Sequence, residues 1–231
     1  MIKAVFFDLY HTLIRYDPPR EELQARALKD FGIDVRPGIL RRAMVVADQF
    51  MYQELAHSPL SQRSAEDKMA LYARYQEILL KEAGVEASEQ LILGLLGKMR
   101  QFDMKVVLFD DVVLALTDLK GRGIIVGLIS NVDRDISTLF GELGLTSLLQ
   151  VVMTSQDVGC NKPQPEIFRK ALRRAGVEAS EAIYVGDQYQ VDVVGANKAG
   201  IKGLLLDRGG CLEETTDCPM IPSLSQVREH L

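Results

Sequence analysis

The sequence predicts an α/β protein: a doubly wound parallel sheet carrying an inserted block of helices. Two observations carry that reading. From about residue 106 onward, apolar runs of strand length alternate with helical patterns, as a parallel sheet with crossover helices requires. Between residues 16 and 104 the pattern is helical, with no convincing strand. The chain has 231 residues, 47% of them hydrophobic, which is enough to bury a full core.

The elements follow in order. Ile2, Ala4, Val5, Phe6 and Phe7 form a run too short for a lone helix and apolar enough for a strand covered on both faces. It ends at Asp8, where apolar residues give way to polar ones. Helices are expected at 21–31, with Leu23, Ala27, Leu28 and Phe31 on one face, and at 38–56, 65–83 and 88–102. Val112, Leu116 and Leu119 mark a further helix face, ended by Gly121 and Gly123. A buried strand is expected at 124–129, and others at 151–154, 182–185 and 203–206, with helices near 134–143, 165–175 and 190–199 between them. The first strand belongs with the later ones. Residues 1–15 and 105–231 are therefore expected to form the core, and 16–104 a helical cap over the carboxyl edge of its sheet. Asp17-Pro18-Pro19 and Asp103-Met104-Lys105 are the expected hinge segments.

Composition narrows the partners. A net charge of −5, a pI near 5.3 and the lack of a basic run argue against nucleic acid or anionic membrane. Cys160, Cys211 and Cys218 show no C-x-x-C spacing, which fits a reducing cytosol better than disulfides or zinc. No run is long enough to span a bilayer, and Asp8 interrupts the apolar N-terminus before any cleavage site. A cytoplasmic protein is expected.

Four segments place a reactive group just past a strand or at the head of a helix, where ligands of open α/β sheets gather. They are Asp8 in F-F-D-L-Y-H-T-L, Ser130 and Asn131 in L-I-S-N, Lys162 in G-C-N-K-P-Q-P, and Asp187 and Asp192 in Y-V-G-D-Q-Y-Q-V-D. Each has an ordinary reading alone. Ser and Asn are common helix caps, a lysine is usually a surface charge, and acids are favoured at helix N-termini.

Together the four resemble the haloacid dehalogenase-like hydrolase superfamily. Its pattern is an Asp nucleophile in D-x-D-x-T, a Ser or Thr after the second strand, a Lys before a helix, and a terminal acidic pair. The resemblance covers nearly the whole chain, including a helical cap inserted after the first strand of a Rossmann-like core. It implies that Asp8 attacks a small-molecule substrate to form a covalent aspartyl intermediate. Thr12 and Ser130 would hydrogen-bond the transferred group, Lys162 would neutralise it together with Asp8, and Asn131 would orient substrate or nucleophile. Asp187, supported by Asp192, would hold Mg²⁺ together with Asp8 and the backbone carbonyl of Tyr10. Physical chemistry agrees: a carboxylate nucleophile splits one difficult displacement into two, and hard oxygen ligands suit Mg²⁺.

The chain departs from the pattern at several positions. Tyr10 stands where the family's phosphatases carry the Asp that protonates the leaving alkoxide, a contribution worth roughly 10²–10⁴-fold. Tyr there is similar to the 2-haloacid dehalogenase branch, whose halide leaving group needs no proton. Dehalogenases also use a cap arginine, and Arg42, or its neighbour Arg41, stands on the expected helix 38–56. Against that branch, Asp187 and Asp192 beside Asp8 would repel without a cation. Phe168, where dehalogenases commonly carry Tyr, reads as a helix core residue beside Leu172. His11 replaces the usual Gly. The expectation is a Mg²⁺-dependent phosphatase acting on a small phosphorylated metabolite through an aspartyl-phosphate on Asp8. The alternatives are a metal-free 2-haloacid dehalogenase using Asp8, Arg42 and Asp192, and a weakly active binding or regulatory protein, for which Tyr10 is the motive.

Overall fold

The computed structural model describes residues 1–212 and 217–231. The chain divides into two compact units, Met1–Arg15 with Val107–Leu231, and Tyr16–Val106.

The first unit is built on β1 (Ala4–Phe7), whose four residues are all buried. It sits inside a six-stranded sheet with β4 (Ile125–Ser130), β5 (Val151–Thr154), β6 (Ala182–Gly186), β7 (Lys202–Leu206) and β8 (Met220–Ile221). The order is β5-β4-β1-β6-β7-β8 and every pairing is parallel. Phe7 is in register with Leu128 on one side and Val185 on the other. Asp8 therefore leaves the sheet level with the ends of both neighbours. The connections after β4 and after β6 run to opposite sides of β1, so the strand order reverses there, the place where such sheets bind ligands.

Among the helices, α5 (Val112–Gly121) buries Val112, Leu116 and Leu119 as its periodicity requires. After β4 comes α6 (Ser137–Glu142), shorter than expected because the Asp135 carboxylate accepts from Ser137 N at 2.9 Å and fixes the start there. A four-residue turn, α7 (Ser155–Val158), follows β5. α8 (Pro165–Ala175) begins on a proline, which suits a first helical position, and buries Ile167, Phe168, Ala171 and Leu172 against the sheet. Phe168 is fully buried and meets Tyr184 edge-on at 5.2 Å, as a core residue should. The expected helix 190–199 is instead a π turn, Tyr189–Val193, running into α9 (Val194–Lys198). The wide turn carries Asp192 inward, where it is 1% exposed. β8, two residues long, is too short to leave a sequence signal.

The second unit packs α1 (Arg20–Lys29), α2 (Pro37–His57), α3 (Ala65–Glu82) and α4 (Glu89–Met99) around Leu28, Leu40, Ala47, Leu79, Leu80 and Leu95. α3 starts in a capping box between Ser64 and Asp67. Phe31 falls beyond the end of α1 and is 41% exposed, so it is not part of the buried face assigned to it; its ring covers Gly94. A polar seam crosses this core. Gln24 and Gln76 pair through their amides at 2.8 Å, and Asp48 accepts from Arg20 at 3.0 Å and from Tyr75 at 2.9 Å. The expectation of no strand within 16–104 needs correction at its edge. β2 (Ile14–Asp17) pairs with β3 (Lys105–Leu108) in a two-stranded sheet where the chain passes between the units. Its partner lies about 90 residues away, beyond any local periodicity. No helix among the described residues is long and apolar enough to cross a membrane.

Candidate active site

The site gathers at the carboxyl ends of β1, β4 and β6 and the loop before α8. Asp8 is 8% exposed, and its Oδ1 accepts from Lys162 Nζ at 2.7 Å and from Ser130 Oγ at 3.1 Å. Both bonds converge on one oxygen, so the electron pairs of Oδ2 are not engaged by these two donors.

Lys162 is 2% exposed, and all three of its ammonium donors are used within the protein. They go to Asp8 Oδ1 at 2.7 Å, Asp192 Oδ1 at 2.6 Å and Tyr184 Oη at 2.7 Å. Burial works against the ammonium, and Asp192 and Asp8 outweigh it, so its pKa is raised. The backbone of Lys162 is clamped as well. Asn131 Nδ2 donates to its carbonyl at 3.0 Å and Asn131 Oδ1 accepts from its amide at 2.7 Å. Asn131 thus bonds to the lysine loop through both ends of its amide. Gly195 lets α9 approach that loop, because a Cβ there would lie 3.0 Å from Pro163 Cα.

Asp187 and Asp192 complete the acidic group. One carboxylate oxygen from each of Asp8, Asp187 and Asp192 lies within 4.8 Å of the others. Asp192 is fully engaged: Oδ1 takes the lysine and Oδ2 accepts from Gln188 N at 3.0 Å. Gly186 is required beside it, since a Cβ there would sit 2.6 Å from Asp192 Cβ. Asp187 Oδ2 accepts from Gln188 Nε2 at 3.0 Å, whereas Oδ1 is buried without a hydrogen-bond partner. Burial, then Asp192 and Asp8, push the Asp187 carboxyl well above the usual carboxylate range. The Asp8 carboxyl is raised by burial, with Lys162 opposing and Asp192 adding. Three carboxylates facing one ammonium leave excess negative charge in a buried place.

The remaining expected residues fall as follows. Thr12 is fully buried, its Oγ1 has no partner, and its carbonyl accepts from Arg208 Nη2 at 2.8 Å. The Tyr10 hydroxyl accepts from Arg134 Nη2 at 3.3 Å. Arg42 is exposed on α2, in the helical unit, and Arg41 pairs with Glu21 at 2.7 Å.

Sequence reasoning missed three residues. Tyr184 Oη touches Lys162 and lies 2.9 Å from the Ile129 carbonyl, but inside an apolar strand it reads as packing. Arg208 holds Asp111 at 2.9 Å, stacks 4.0 Å from the Phe109 ring centroid and braces the Thr12 carbonyl. Its partners are far apart in sequence, so no local signal exists. Arg134 was visible three residues after Asn131, between two acids, and reads there as solvated.

His11 sits at φ 60°, in the left-handed region that favours glycine. His11→Gly should therefore raise stability by about 0.5–1 kcal/mol, the relief of the left-handed conformation exceeding glycine's extra unfolded-state entropy. Urea denaturation checks this, and a lower midpoint would show that the imidazole's own contacts outweigh the strain.

The chain matches the model of the haloacid dehalogenase-like hydrolases over residues 5–206. It is 31% identical to a glyceraldehyde 3-phosphate phosphatase of Methanothermobacter thermautotrophicus, over 100% of both chains. It is 28% identical to one of Methanopyrus kandleri, over 90% of this chain and 85% of that protein. The crystal structure of a 2-haloacid dehalogenase from Pseudomonas syringae pv. Tomato DC3000 is 28% identical, with a TM-score of 0.56, over 99% of this chain and 97% of that one. With the family model matched over residues 5–206 and a full-length relative at 31% identity, the chain belongs to the haloacid dehalogenase-like hydrolase family.

Proposed function

We propose that this hydrolase is a Mg²⁺-dependent phosphatase that cleaves small phosphorylated metabolites through an aspartyl-phosphate on Asp8. The observation that carries this is Asp187 Oδ1, a buried carboxylate oxygen without a partner beside two further carboxylates. A hard divalent cation would satisfy that oxygen and balance the charge. Asp8, Asp187 and the Tyr10 carbonyl are the groups that would hold it, with Asp192 anchored behind them to Lys162. Bound Mg²⁺ would supply positive charge to the phosphoryl oxygens. Asp8 attacks phosphorus and the alkoxide departs; water then hydrolyses the aspartyl-phosphate. Ser130 and Lys162 hold the nucleophile in place. The names of the two archaeal relatives support the same substrate class.

Tyr10 favours a second reading, the metal-free 2-haloacid dehalogenase, because a departing halide needs no proton. Thermal melts separate the two. Mg²⁺ should raise the Tm of the parent, since it binds the folded state alone. Asp187→Asn should melt about 3–8 °C higher than the parent without metal, having lost a carboxyl group whose ionisation is opposed by burial and by Asp192 and Asp8, and should not respond to Mg²⁺. A parent Tm indifferent to Mg²⁺, together with metal-free chloride release from 2-chloropropionate, would transfer the assignment to the dehalogenase.

A further inference from the structure

Arg134 lies in the loop between Ser130, which touches the nucleophile, and α6. It is exposed, and its guanidinium reaches back to the Tyr10 hydroxyl at 3.3 Å. Arg208, elsewhere in the same unit, is bound to the Asp111 carboxylate. Arg134 forms no ion pair among the described residues, and its neighbour Asp135 is committed to Ser137 through both oxygens. The cations near the nucleophile thus differ in kind. Lys162 is consumed by Asp8 and Asp192, while the Arg134 hydrogen bond goes to the Tyr10 hydroxyl, not to a carboxylate.

A guanidinium has five N–H donors, and the bond to Tyr10 uses one of them. An open edge suited to bidentate binding of a carboxylate or phosphate remains. Tyr10 occupies the position whose side chain, in the family's phosphatases, addresses the leaving oxygen. On the phosphatase reading, a group hydrogen-bonded to the Tyr10 hydroxyl would stand beside the part of the substrate beyond that oxygen. We propose that Arg134 is a specificity-determining residue that binds a second anionic group, carboxylate or phosphate, on the leaving half of the substrate. The preferred substrates are then phosphomonoesters that carry a further negative charge. This rests on the phosphatase reading and names its substrate class. It places part of the selectivity on the core unit, independently of Arg42 and the helical unit.

The test uses three matched esters: phosphoglycolate, with a carboxylate; 1,2-ethanediol bisphosphate, with a second phosphate; and 2-hydroxyethyl phosphate, with neither. The full chain with Mg²⁺ should prefer at least one anionic ester over the neutral one in kcat/KM. Arg134→Gln should cut that preference by about 10- to 100-fold, the range for a lost charge-assisted hydrogen bond. The arm that falls identifies the anion. No preference in the parent, or equal losses on all three esters in the variant, would overturn the proposal, the second result showing that Arg134 merely orients Tyr10. Failure of the phosphatase reading looks different: none of the esters turns over. Calorimetry on Asp8→Asn protein then decides the arginine's part by binding alone. Tighter binding of an anionic ester, lost on adding Arg134→Gln, supports it; no difference between esters, or no binding of any, overturns it.

Discussion

Asp8→Asn should abolish phosphoester hydrolysis, lowering kcat by on the order of 10⁴–10⁶-fold, as loss of a catalytic nucleophile does elsewhere. An amide of nearly the same shape cannot form the aspartyl-phosphate. The fold should survive. Asp8 Oδ1 accepts two hydrogen bonds, and the carboxamide oxygen can accept both, while one of three crowded carboxylates is removed. Phosphate release from the best substrate, with circular dichroism of both proteins, checks this. Turnover within tenfold of the parent in a folded variant would show that another group attacks.

Lys162→Met should be the most destabilising single change in the site, costing about 3–5 kcal/mol, because it leaves Asp8 and Asp192 buried without their counter-ion. Methionine matches the lysine stem in length, so lost packing contributes little. The charge origin of the loss is separable. Adding Asp192→Asn to Lys162→Met should return a large part of the stability, since it removes one of the two stranded carboxylates. Urea denaturation of the parent, the single and the double variant forms the comparison. A single variant within 1 kcal/mol of the parent would mean that the site accommodates the stranded carboxylates at little cost and that the lysine's charge is not what the fold depends on.

Much of this was legible in the sequence because the chemistry sits at strand ends. Asp8, Ser130 and Asp187 each follow an apolar run, and Lys162 precedes a proline-led helix, so linear pattern and three-dimensional placement coincide. Phe168 beside Leu172 was legible for the same reason: a strongly amphipathic helix declares its buried face. Asp192 was legible as a group but not in its partners, because a π turn, which no 3.6-residue pattern announces, delivers it to Lys162. Tyr184 was hidden by its chemistry. Its ring satisfies the strand pattern while its hydroxyl meets Lys162 and Asp192, and the pattern registers the ring alone. Arg208 and Asp111 lie 97 residues apart in sequence, a separation at which position carries no information about contact. Asn131 was placed at the right strand end, but its partner, the lysine backbone, follows from the loop conformation rather than from residue type.

The pairing of β2 with β3 has a consequence for the assembly of the chain. An insertion of about 90 residues, left as open coil, would burden closure of the β1–β4 pairing with an entropy cost of about 4 kcal/mol. The helical unit has its own apolar centre, and the chain leaves and returns on adjacent strands. The long loop therefore behaves toward the sheet as a short one once those helices have formed. Stability in residues 16–106 is thus transmitted to the sheet as a boundary condition on its first crossover.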